Sequence, residues 1–211
     1  GEYASEADAA VRTAESRSVL AALGVPAEQI YFLGYPDTGM PYEESFLRRL
    51  YDGCRVSASR WGRTETWRPD GQDFHFMRSG CHSTYTAASV LRDLSDVLAL
   101  VNPDTVYVTA PGDCHGDHDA LGRFTTQAVA AMENPPALYY YLIHADRTDI
   151  CPERDAERFR LPPMAADHPL LRCAAERRPL PDGFPPAEKY SLIQSYTSQD
   201  PAAYNLSLIH I

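Results

Sequence analysis

Thr105-Val106-Tyr107-Val108-Thr109-Ala110-Pro111-Gly112-Asp113-Cys114-His115-Gly116-Asp117-His118 reads as a strand, a break and the opening of a helix. Thr105 to Thr109 are β-branched or aromatic, Pro111-Gly112-Asp113 ends the run, and Asp117-His118-Asp119 begins a helical pattern. Two imidazoles and a carboxylate therefore fall at the carboxyl end of a strand, where open α/β sheets bind their ligands. Neutral imidazole is the commonest zinc ligand, and a carboxylate beside it can fix its tautomer and raise its basicity. A helix start capped by Asp117 and carrying two surface histidines would use the same residues without chemistry.

Working outward, Ala4 to Leu23 is alanine-rich and unbroken until Gly24 and Pro26, which predicts a helix. Ile30 to Leu33 predicts a short strand, and Gly34 to Pro41 a loop. Phe46, Leu47, Leu50, Tyr51 and Cys54 recur at helical spacing, from about Glu43. Leu91, Leu94, Leu98 and Val101 mark a third helix that ends at Asn102-Pro103. Leu121, Phe124, Ala128 and Met132 mark a fourth, and Ala137 to Ile143 another strand. Strands alternating with helices predict parallel βαβ units in a Rossmann-like three-layer α/β fold with a mostly parallel sheet. Arg55 to Ser83 lacks a sustained period and reads as a lid, a substrate wall or a plain excursion, with His75 and His82, like His168, at its surface. His144 to Pro186 is proline-rich and reads as extended segments wrapping the core, before a last short helix near Lys189 to Tyr196.

A chain of 211 residues, 44% hydrophobic, can bury one sizeable core, so a single domain is expected over residues 1–205. The net charge of -10 argues against a nonspecific grip on nucleic acid or an anionic membrane and leaves small neutral or cationic substrates open. No apolar run reaches the length of a membrane span. The sequence leaves the compartment open, the cytoplasm being the default. Five scattered cysteines form no metal knuckle, and their odd number argues against a complete disulfide framework. Leu206-Ser207-Leu208-Ile209-His210-Ile211 resembles translated library adapter and is read as a non-native tail.

Several segments in order carry a family likeness. Arg12-Thr13-Ala14-Glu15, Leu23-Gly24-Val25, Phe32-Leu33-Gly34-Tyr35-Pro36-Asp37-Thr38-Gly39, Asn102 to Thr109 and His115-x-Asp117-His118 resemble the LmbE-like or PIG-L-like zinc-dependent N-deacetylases. Tyr141-Leu142-Ile143-His144 and Lys189 through Tyr196-Thr197-Ser198-Gln199 look like that family's distal segments. The family's other half-site, a His-Pro-Asp-Asp-Glu stretch after its first strand, supplies two metal ligands and the general base. No such stretch occurs here, so the resemblance implies a fragment lacking the first strand and its catalytic loop.

A hydrolytic zinc site needs three protein ligands and an open position. The resemblance implies a Zn2+ ligand at His118 and a catalytic His115 near the developing oxyanion and leaving amine. It implies an Asp117 that orients an imidazole, and an Arg12 and Asp37 that contact sugar hydroxyls. Arg12 pairing with Glu15 on the helix surface, and Asp37 as a turn carboxylate, are the plainer alternatives. Asp113 stands where some members carry tyrosine, and His144 could face the same crevice. The expected partner is a small N-acyl amino sugar or glycoconjugate, the expected reaction removal of its acyl group by a metal-dependent amidohydrolase. The fragment itself is expected to hold zinc weakly and to be inactive. The rivals are a carbohydrate-binding module without catalysis and another α/β metallohydrolase such as a phosphoesterase.

Overall fold

The computed structural model describes residues 6–38, 44–54, 58–69, 71–143 and 186–199. Helix α1, Glu6–Ala22, fills the alanine-rich stretch, and Gly24, at φ +80°, turns the chain out of it. Helix α2 is Phe46–Tyr51, α3 is Phe74–Ser79, and α4 is Ala87–Val101. Thr86 caps α4 by accepting a hydrogen bond from the Ser89 N–H at 3.0 Å, and Asn102 ends it in the left-handed conformation that asparagine tolerates. Strand β1, Thr105–Thr109, leads into α5, Gly116–Ala130, and β2, Ala137–Tyr141, returns parallel to β1 in a register running from Thr105↔Ala137 to Thr109↔Tyr141. Helix α6 is Pro186–Gln194, followed by a 3-10 turn at Thr197–Gln199. The result is a mixed helix and strand architecture, compatible with an α/β fold, whose parallel sheet has two strands among the described residues.

Apolar residues at helical spacing form the core. Phe46 and Leu50 of α2, Tyr85, Val90 of α4, and Ala120 and Phe124 of α5 bury one another, and Leu98, Ala128 and Val129 continue the contact toward the far end of α4 and α5. Burying side chains of this size contributes about 1.5–3 kcal/mol each. Gly122 sets how close α5 comes to β1. A Cβ there would lie 2.4 Å from the Thr109 carbonyl oxygen and 2.8 Å from the Pro111 ring, so only glycine allows the helix to sit on the strand end.

Three sequence expectations change. Ile30 to Leu33 is not a strand: the Phe32 and Gly34 carbonyls accept from the N–H groups of Phe74 and Trp67, single bonds to an irregular segment instead of a ladder. This segment and β1 do not pair with each other. The second helix starts at Phe46, after Ser45 at its N-cap, and its first two N–H groups are met by Thr38 Oγ1 and Asp117 Oδ1. His75 and His82 are not plain surface residues. The first lies 3.1 Å from buried Asp93 and the second pairs with buried Asp73, which also caps α3 through the Phe76 N–H. His144, His168, the stretch 144–185 and the tail 206–211 lie outside the described residues.

Candidate active site

The break between β1 and α5 positions the two histidines. His115 is the N-cap of α5: its Nδ1 accepts from the Asp117 N–H at 3.3 Å, satisfying one of the donors that a helix start leaves open. That bond needs a lone pair on Nδ1, so the neutral ring carries its proton on Nε2. The ring is buried and stacks on His118, one turn into the helix, with centroids 4.4 Å apart and planes at 19°.

His118 has the opposite arrangement. Its Nδ1 lies 3.4 Å from Oδ1 of Asp113, close enough for an ion pair but short of good hydrogen-bond alignment. Asp113 is itself fixed by the His115 and Ile143 N–H groups, each at 2.9 Å. Burial alone would raise its carboxyl, but His118 and these two backbone donors outweigh it and hold the group below its ordinary range. A carboxylate facing Nδ1 favours the proton there and places the ring's lone pair on Nε2, a form in which histidine ligates metals. The donor chemistry at His118 therefore fits a metal ion.

Asp37 comes from a different part of the chain and is held on both sides. Before it, Gly34 at φ +79° packs so closely that a Cβ would lie 2.9 Å from both the Trp67 carbonyl oxygen and Asp73 Cβ, and the Tyr35 hydroxyl donates to Asp93 at 2.8 Å. After it, the Thr38 N–H donates to Asp117 Oδ2 at 2.9 Å. Asp37 thereby reaches to 4.0 Å from His115 Nε2 and 3.6 Å from Arg12 Nη1. Burial pushes its carboxyl above the ordinary range; Asp117 adds to this, against the pull of Arg12 and His118.

Asp117 is the clamp. Its oxygens accept from the Thr38 N–H, the Ser45 hydroxyl and the Leu47 N–H, with the Thr38 hydroxyl 3.3 Å away and shared with the Glu44 carbonyl, so the Asp37 loop and the start of α2 converge on one carboxylate at the start of α5. A carboxylate offers about four lone-pair sites, and these donors take up most of them. Asp119 makes the companion joint, accepting from the Gly112 N–H at 2.7 Å and from Arg48 and Arg123.

All five residues singled out from the sequence, Arg12, Asp37, His115, Asp117 and His118, thus gather at the carboxyl end of β1. Ligand atoms of Asp37, His115 and Asp117 lie within 4.8 Å of one another. Another such group, His75, Asp93 and Asp96, is occupied in packing, since Asp93 also accepts from Tyr35 and Ser83. Sequence reading missed the hold of Asp113 on His118 and that of Thr38 and Ser45 on Asp117. The position of Asp113 in the turn before His115 was the one available signal; the partners of Asp117 are more than 65 residues away and gave none. Glu15 accepts from Thr197 and Ser198, and the Arg12 charge also helps to lower its carboxyl.

Among the described residues no helix is long and apolar enough to cross a membrane. No curated protein and no solved structure matches the chain. A family model described as PIG-L, GlcNAc-PI de-N-acetylase, matches residues 1–129, more than half of the chain and the part that contains the whole constellation. The activity that describes this family is hydrolytic removal of an acetyl group from GlcNAc-type substrates. By that match, and with the geometry above in agreement, the chain belongs to the PIG-L, or LmbE-like, family of de-N-acetylases.

Proposed function

We propose that this chain carries machinery of a zinc-dependent N-deacetylase acting on an N-acetyl amino sugar or related conjugate, within a Rossmann-like three-layer fold. The observation that carries the reading is the opposed arrangement of the two stacked imidazoles, one held by Asp113 and the other by the start of α5. His118 would hold the metal through Nε2, with Asp113 behind it. When bound, zinc supplies Lewis-acid polarisation of the amide carbonyl and lowers the pKa of water.

The protein's own groups do the rest. His115 in its Nε2–H form donates a hydrogen bond to the negative charge that develops on the carbonyl oxygen, and the buried ring needs little reorganisation to do so. Serving also as the proton donor to the leaving amine would need a second proton on Nδ1 and the loss of its bond to the Asp117 N–H. Arg12 and Asp37 present donors and an acceptor to adjacent sugar hydroxyls. Asp117 acts on neither substrate nor metal directly and keeps the Asp37 loop against the histidines.

A hydrolytic zinc site draws on three protein ligands, and His118 supplies one. The 211-residue chain is therefore expected to bind zinc weakly through His118 and to release no amine from N-acetylglucosamine conjugates. A version with an added N-terminal strand and His-Pro-Asp-Asp-Glu loop should gain both tight zinc and activity. Metal analysis beside an amine-release assay, each with His118→Ala, tests this. Tight zinc in the 211-residue chain, or zinc binding that survives His118→Ala, would overturn the ligand assignment.

A further inference from the structure

Arg12 sits between two partners that come from opposite ends of the chain. Its Nη1 lies 3.6 Å from Asp37, and the side chain is 11% exposed. With the Gln199 amide oriented so that oxygen meets donors and nitrogen does not, that oxygen accepts from Arg12 Nε at 3.1 Å and from Nη1 at 3.0 Å. Gln199 is in place because the 3-10 turn it ends is tied to α1 one helical turn beyond Arg12. Glu15 accepts there from the Thr197 hydroxyl and the Ser198 N–H, both at 2.8 Å, and from the Ser198 hydroxyl. These bonds, together with the nearby Arg12 charge, hold the Glu15 carboxyl below its ordinary range against the effect of burial. The two contacts differ in kind: Glu15 fastens the turn, and Gln199 meets a group that faces the site.

We propose that Gln199 is a positioning residue for substrate recognition, holding the Arg12 guanidinium beside Asp37, with Glu15 fixing the turn that delivers it. This rests on the deacetylase reading, in which Arg12 and Asp37 meet sugar hydroxyls. An arginine on a helix surface samples many rotamers, and each sugar contact would have to pay for their loss. Two bonds from one amide oxygen to adjacent guanidinium nitrogens set the plane of the fork before a sugar arrives. The turn, 182 residues from Glu15 in sequence, thereby completes a recognition surface that α1 and the Asp37 loop begin.

The test uses the 211-residue chain and two readouts, exchange of the Arg12 Nε–H with solvent by NMR and affinity for N-acetylglucosamine by NMR titration. Gln199→Ala should speed the exchange several-fold and weaken the sugar about tenfold, the effect of losing one hydrogen bond to a charged group, with the melting temperature nearly unchanged. Gln199→Glu, which keeps an acceptor at the same place, should restore slow exchange. Glu15→Gln should change both readouts in the direction of Gln199→Ala, by less. Wild-type exchange of the Arg12 Nε–H in Gln199→Ala overturns the proposal. If the wild-type chain takes up no N-acetylglucosamine, the deacetylase reading of Arg12 and Asp37 falls, while the exchange measurement still decides whether Gln199 positions Arg12.

Discussion

At the scale of single residues, the site is set by which buried carboxylate meets which nitrogen. Asp113, Asp117 and Asp119 lie within seven residues and are all buried, yet each faces different donors: His118 with two backbone N–H groups, the Asp37 loop, and a pair of arginines. For Asp113 the sign of its contribution follows from its lowered carboxyl. The stabilisation is fully present above the ordinary carboxylate range and is lost as pH falls through the lowered value, because the unfolded chain takes up the proton first. Asp113→Asn should therefore cost about 2 kcal/mol at pH 7, the scale of a charged buried hydrogen bond, and much less near pH 3. Thermal melts of metal-free protein across that range check it; an equal loss at both pH values would mean that Asp113 acts through shape and not through charge. Histidine and aspartate at these spacings were legible from the sequence. The assignment of partners was not, because it depends on loops that meet only after folding.

At the scale of elements, the legible part is what period and punctuation encode. Helices α4 and α5 and strands β1 and β2 follow their apolar patterns, and Thr86 and Asn102 mark the ends of α4 as capping chemistry requires. The missing strand has a physical cause: Ile30 to Leu33 has strand composition, but a strand exists only where a neighbour completes the ladder. The joint between β1 and α5 depends on Gly122 more than on any apolar side chain. Gly122→Ala places a methyl 2.4 Å from a backbone carbonyl that cannot yield cheaply. The expected loss is about 3 kcal/mol, the upper part of the range for overpacking, although alanine is the better helix former. Urea unfolding measures it, and a neutral or stabilising result would show that α5 can slide along β1 without cost.

At the scale of the whole molecule, chain segments distant in sequence converge on one end of β1. Helix α1 brings Arg12, the loop after Gly34 brings Asp37, the start of α5 brings His115 and His118, and the turn after α6 brings Gln199. The sequence order of these segments identified the family, whereas the joints between them, Asp117 to Thr38 and Ser45, and Glu15 to Ser198, became visible only in three dimensions. The contacts of the two stacked imidazoles favour opposite tautomers, an arrangement in which His118 would ligate a metal and His115 would donate to an oxyanion. Long-range proton–nitrogen NMR of the histidine rings in the metal-free chain at neutral pH measures this directly. The expected result is the Nδ1–H form for His118 and the Nε2–H form for His115. The Nε2–H form at His118, or the Nδ1–H form at His115, would contradict it.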